Sequence, residues 1–316
     1  MIEMRNEAKA LNPWAFFALA LGLSWLFWVP MALLEGEPMA FPLILLMMLG
    51  GLGPALAEAV LILGGGTRHQ KRDYARRVFD VSRISPRWLA VTMLFFPVMN
   101  GLATLANGLT GGAWPAFKMA SDLLANPLSI IPYLLFMFVF GPLPEELGWS
   151  GYALDGLQAR RSALATSLII GAAWAVWHLP LFFVDGTFQH DEIGFATASF
   201  WWYMLPTLPI SILDTWVYNN ANRSTLAAVL LHFMVNVSGE VFELSQRARF
   251  FQLAFVVAAT TAVVVIWGPE TLTRGSAQER SQRLGLPAQS SEPGGEGRRT
   301  GAVSGADQTP GPRVWY

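Results

Sequence analysis

The sequence predicts an all-α polytopic membrane protein of about eight transmembrane helices, followed by a disordered tail. Three observations predict it. Of 316 residues, 53% are hydrophobic and only 14% charged, against about 45–50% and about 25% in soluble chains. The charges are unevenly placed, with 11 of the 43 lying from Glu270 onward. The remaining chain divides into apolar stretches near the roughly 20 residues that a helix needs to cross a hydrocarbon core about 30 Å thick. Net charge is −1, so no basic field argues for a nucleic-acid partner. There is no cysteine, which excludes disulfides, thiol nucleophiles and Cys-ligated metal within the chain.

In chain order the candidate spans are Pro13–Leu34, Pro38–Gly66, Trp88–Leu109, Leu123–Pro144, Ser162–Val184, Ile193–Trp216, Ser224–Glu243 and Phe250–Pro269. The first and third are free of charge, as is the fourth. The second holds Glu58, the fifth His178, the sixth Asp214, and the seventh His232 near its middle. The run after Arg5 and Lys9 is too long for a cleaved signal peptide and lacks a small-residue cleavage site, so it reads as a retained anchor. With both termini in the cytoplasm, 18 of the 21 Lys and Arg fall on the cytoplasmic side, which favours that orientation and an even number of spans. The seven cations between Arg68 and Arg87 read as a loop that sets topology, with attraction to anionic lipid as a second role. His69 and His190 read as solvated loop residues. Asn222-Arg-Ser224 matches a glycosylation pattern on a segment that faces the cytoplasm, which discounts it. Residues 1–269 form the membrane domain. Residues 270–316, rich in Gly, Ser, Gln, Pro and Arg, form a disordered cytoplasmic tail.

Ionisable groups at membrane depth cost several kcal/mol, so each asks for a function or a partner. Glu145 and Glu146 end the fourth span. As adjacent helix positions they point about 100° apart and can flank one cavity. They also read as interfacial acids facing water. His178 has Trp174 one turn back on the same face, and equally reads as a structural histidine bonded to a backbone carbonyl. His232 and Asn236 share a helix face at i, i+4. They could bond each other, hold a neighbouring helix, or converge on a ligand. Taken together, two acids, two imidazoles and an amide are the parts needed to activate water and hold an oxyanion. Glu58 and Asp214 lie outside these motifs and motivate a competing reading, a proton-coupled transporter.

The three ordered motifs resemble those of the CPBP family of intramembrane proteases, which includes type II CAAX prenyl endopeptidases and bacterial immunity-type (Abi) proteins. Glu145-Glu146-Leu-Gly-Trp-Ser150 is similar to the family's Glu-Glu-x-x-x-Arg, Trp174-x-x-x-His178 to its Phe-x-x-x-His, and His232-x-x-x-Asn236 to its His-x-x-x-Asn/Asp. The matching core runs from about residue 142 to 237. The resemblance implies an endopeptidase acting on membrane-associated or prenylated substrates through a glutamate-activated water. Glu145 would be the base and Glu146 its support. His178 and His232 would position the water or a metal, and His232 with Asn236 would stabilise the oxyanion. If a metal such as zinc takes part, its candidate ligands are Glu145, His178 and His232. The family's prevalence implies a bacterial plasma membrane, with the lipid bilayer and a membrane-associated peptide or protein as partners. Ser150 and Trp174 depart from the pattern. Trp keeps an aromatic wall, but Ser removes a fixed cation, for which Arg160 or Arg161 could substitute. That loss motivates the alternative of a catalytically weak or inactive member acting as an immunity or scaffold protein.

Overall fold

The computed structural model describes residues 11–274, so most of the expected tail lies outside the described residues. All regular structure among the described residues is helical. The helices are α1 (Pro13–Met31), α2 (Leu43–Gly51), α3 (Gly53–Glu58), α4 (Arg68–Phe79), α5 (Pro86–Leu109), α6 (Lys118–Ala125), α7 (Ile130–Phe140), α8 (Pro142–Gly148), α9 (Leu154–Gln158), α10 (Ala163–Trp177), α11 (Ala198–Met204), α12 (Thr207–Asn220), α13 (Thr225–Phe242) and α14 (Gln246–Trp267). Their starts are written locally. Asn12 accepts from the Trp14 and Ala15 amides ahead of Pro13, Thr67 and Gln70 form a capping box, and Ser162, Ser224 and Ser245 each cap the helix that follows.

Among the described residues six helical segments are long and apolar enough to cross a membrane, and α2 with the helix at Gly53–Gly64, which α3 begins, makes up a seventh, bent by 51°. The bend falls at Leu52, just before Gly53-Pro54, where proline removes an amide from the helix ladder. The expected span 193–216 is instead divided between α11 and α12, neither of which is long enough alone. The expected fourth span is longer than its apolar run. It continues from Pro127 to Gln158 through α7, α8, a π-helical turn at Trp149–Ala153, and α9.

Hydrogen bonds sort the connecting segments to two ends of the bundle. At one end the Tyr152 hydroxyl accepts from the Asn12 amide, Arg77 reaches Tyr218, and Arg83 pairs with Asn222 in both directions. There too Asn219 and Asn220 donate to the Thr271 and Leu272 carbonyls. At the other end Arg247 donates to the Thr110 carbonyl, Glu243 accepts from the Met119 amide, and Gln246 donates to Ser199. The start of α1 and the cation-rich segments therefore share one end.

One reading needs correcting. Residues 68–79 form a helix, α4, rather than the expected loop, and Arg77 is buried within the bundle instead of serving only to set topology. It is 2% exposed. Arg77 Nε meets Asp73 at 2.9 Å, Nη1 meets Asp155 at 3.2 Å, and Nη1 also donates to the Gly151 carbonyl and the Tyr218 hydroxyl. Arg223 approaches Asp155 at 2.5 Å and Asp73 at 3.3 Å. Burial pushes the Arg77 guanidinium pKa down, but Tyr218, Asp155 and Asp73 around it outweigh burial and hold it above the ordinary value.

The main core gathers Phe16, Trp28, Trp149, Tyr152 and Trp177 between α1, the π turn and α10. Gly148 lets α3 and α1 close on α8. A Cβ there would lie 2.7 Å from the Pro54 carbonyl oxygen and 2.8 Å from the Phe16 ring. Close approach of small residues is the usual route to helix packing in lipid, where apolar burial supplies little between helices.

Candidate active site

The two glutamates owe their position to a break in the helix. Gly141 takes φ −124° and ψ −102°, and Pro142 and Pro144 start α8 without amide donors of their own. A Cβ at residue 141 would sit 2.9 Å from the Met137 carbonyl oxygen, so a glycine fits this break. The π turn after α8 widens the backbone there, a feature found often at functional sites.

Glu145 and Glu146 are both buried and point to different partners, as their 100° separation predicts. Glu145 Oε2 accepts from Trp174 Nε1 at 2.7 Å, from α10. Glu146 Oε1 lies 3.1 Å from His232 Nδ1, from α13. Glu146 Oε2 accepts from the Ser150 hydroxyl. Ser150 thus bonds the carboxylate directly. Arg160 and Arg161 are exposed at the bundle end and do not reach either glutamate, which corrects their expected substitution for a motif cation.

His178 is the C-cap of α10, and its Nδ1 pairs with the Trp174 carbonyl oxygen at 2.9 Å. That bond places the proton on Nδ1 and leaves the Nε2 lone pair clear. The expected backbone bond is present without using up the ring. His232 is oriented the same way, through Nδ1 to a carboxylate, so both histidines keep Nε2 clear of protein partners. Trp174 sits between them, its ring centroid 4.9 Å from that of His232 and 5.8 Å from that of His178. Tyr203 closes the outer side of His178 at 5.6 Å.

Asn236 does not bond His232. Its Nδ2 lies beside Gly141, 3.4 Å from where a Cβ would stand, so the amide faces the break between α7 and α8. The three helices α8, α10 and α13 therefore bring Glu145, Glu146, His178, His232 and Asn236 to one region. The sequence ordered these residues but did not reveal how they connect. Trp174 was read as a wall and is a donor. Asp214 was read outside the motifs, yet it is buried in α12 and lines a small cavity with Glu146 and Ser150. Its signal was visible, a lone acid in an apolar run, but its neighbour was not.

Zinc at Glu145, His178 and His232 finds no support in the side-chain arrangement. Among the described residues no three His, Asp or Glu side chains come close enough together to hold a metal.

Residues 127–238 match the model of the family described as Type II CAAX prenyl endopeptidase Rce1-like. The CAAX prenyl protease 2 of Methanococcus maripaludis is 27% identical over 258 residues, covering 80% of this chain and 93% of that relative. The matched stretch contains α7 to α12, most of α13 and all three motifs, so it is this part of the chain that is similar to the Type II CAAX prenyl endopeptidase Rce1-like family.

Proposed function

We propose that this protein is an intramembrane endopeptidase that cleaves prenylated, CAAX-type C-termini or similar membrane-associated peptides with a glutamate-activated water. The observation that carries this reading is the buried pairing of Glu146 with His232, beside a Glu145 whose single protein donor is Trp174. Glu145 takes a proton from water as the oxygen attacks the peptide carbonyl. Asn236 Nδ2 and a protonated His232 Nε2 donate to the oxyanion. Glu145 then returns its proton to the leaving nitrogen as the C–N bond breaks. Glu146 holds His232 through Nδ1 and so fixes which ring nitrogen faces the substrate. His178 is fixed through the Trp174 carbonyl and offers Nε2 to orient the water.

An apolar cleft of about 640 Å³ suits the lipid part of such a substrate. Its walls include Val29, Leu33, Pro180, Phe182 and Phe183. Phe182 packs on Tyr203, which packs on His178, so the cleft wall stands two rings from the cluster. The bond from Ser150 to Glu146 favours a second reading, a weak or inactive member that works as a membrane immunity or scaffold protein, because a hydroxyl supplies no fixed charge. The sharing of one bundle end by the cation-rich segments supports a cytoplasmic placement of that end.

The test is cleavage of a prenylated peptide by the full chain in lipid nanodiscs. Wild type releases the C-terminal fragment, and Glu145→Gln and His232→Ala do not. Wild-type protein that folds but never cleaves a prenylated peptide selects the scaffold reading. Equal turnover by all three overturns the assignment of residues.

A further inference from the structure

Beside Glu146 lies a small chamber with a free volume of about 10 Å³. That is room for one water-sized particle. Glu146, Ser150, Ser211, Asp214 and Thr215 supply its polar lining. Most of the hydroxyl protons there are already committed. Ser150 donates to Glu146, and Thr215 donates to the Ser211 carbonyl at 2.9 Å while accepting from Ser167 at 2.8 Å. What these oxygens still present is lone pairs. Asp214 is 6% exposed, and its Oδ1 has no hydrogen-bond partner.

Charge makes the same point independently. Three carboxylates, Glu145, Glu146 and Asp214, share this buried region with two imidazoles. The buried guanidinium of Arg77 is turned to Asp73, Asp155 and Gly151 instead. With all three carboxylates ionised and both histidines protonated, one negative charge is unmatched, and an unmatched buried charge is costly. A proton on Asp214 is the rival way to neutralise it; among the described residues its Oδ1 has no hydrogen-bond partner.

We infer that this chamber binds one sodium ion, held by the Asp214 and Glu146 carboxylates and the Ser150, Ser211 and Thr215 oxygens. The chamber's possible ligands, two carboxylates and three hydroxyls, are all oxygen, which suits a hard cation, although Leu154 and Ile170 also line it. Magnesium keeps several waters, for which a one-particle chamber has no room. Trp149 and Trp174 complete the wall, and indoles stand well beside cations. The ion would supply the fixed positive charge that Ser150 does not, and would position Glu146. The rival occupant is a water accepting from Trp149 Nε1, which also lacks a partner.

The experiment uses the purified full chain in nanodiscs and reads thermal unfolding and radioactive sodium binding, so it stands apart from any hydrolytic assay. Tm is compared in sodium, potassium and choline chloride at equal ionic strength. At sodium about tenfold above Kd, Tm should rise by roughly 3–6 °C over choline. One ion should bind per chain. Asp214→Asn should abolish both effects. If Asp214→Asn does not fold, Thr215→Val, which keeps the carboxylates, should weaken sodium binding about tenfold. Equal Tm in the three salts with no bound sodium identifies water or a proton as the occupant and overturns the inference. So does a sodium response that survives the variants that fold.

Discussion

Two charge networks, one centred on the buried Arg77 and one on the buried Glu145 and Glu146, lie a few residues apart in this molecule, and they are built on opposite principles. At the bundle end, Arg77 and Arg223 share Asp73 and Asp155, with Tyr218 and the Gly151 carbonyl taking further bonds. Acids and cations there are equal in number, and Arg77 has a partner for both Nε and Nη1. Around Glu145 and Glu146 the acids outnumber the cations, Asp214 Oδ1 is unpartnered among the described residues, and both histidines bond protein through Nδ1 rather than Nε2. The first network ties α4, α9, α12 and the turn before α13 together. The second leaves its polar atoms free to act on something else. Breaking a saturated network should cost stability, and altering the unsaturated one should cost chemistry.

The largest expected effect tests the second half of that contrast. Glu145→Gln should lower the turnover of a prenylated peptide by about 10²–10⁴-fold, the usual worth of a positioned acid–base group. Its Tm should stay within a few degrees of wild type. A collapse of Tm matching that of an Arg77 variant would erase the distinction. Arg77→Met should destabilise the fold by about 3–5 kcal/mol, because it leaves Arg223 alone to face Asp73 and Asp155 and strips the Gly151 carbonyl of its donor. Turnover per folded molecule should survive, as measured by activity normalised to the folded fraction. Trp174→Phe keeps the aromatic ring but removes the donor to Glu145. The loss of one hydrogen bond to a charged group, about 1.5–3 kcal/mol, should appear as roughly a 10- to 100-fold fall in kcat with KM held. A rise in KM alone would assign Trp174 to substrate contact instead. The smallest effect belongs to neither network. Lys118 and Asp122 form a wholly exposed ion pair, and Lys118→Ala should leave both Tm and turnover where they are.

How much of this was legible differs from residue to residue. The long spans were readable because the bilayer imposes a length and an apolar composition on every crossing. Pro13 and Ser224 open their expected spans by local chemistry, whereas the cap of the last helix, Ser245, lies ahead of the expected start at Phe250. The division of residues 198–220 into α11 and α12 was not legible, because the apolar run continues across the break. Arg77 looked like one of seven equivalent loop cations, and nothing local distinguishes it from Arg76, which is exposed. In the site, the spacing of Trp174 to His178 and of His232 to Asn236 gave the shared faces. Which glutamate meets which helix depended on how α8 turns at Gly141.

The sequence by itself determined that this chain is helical, membrane-embedded and equipped with acid, imidazole and amide groups in three ordered motifs. Those are properties of composition and short-range spacing, which the helix period and the hydrocarbon thickness translate directly. Only the tertiary structure decided that Asp214 shares a chamber with Glu146, that Trp174 donates to Glu145, and that Arg77 is buried in a closed ionic network. These are contacts across tens of residues. They depend on which helix faces touch, and that is settled by close packing at positions such as Gly148 rather than by any local preference of the chain.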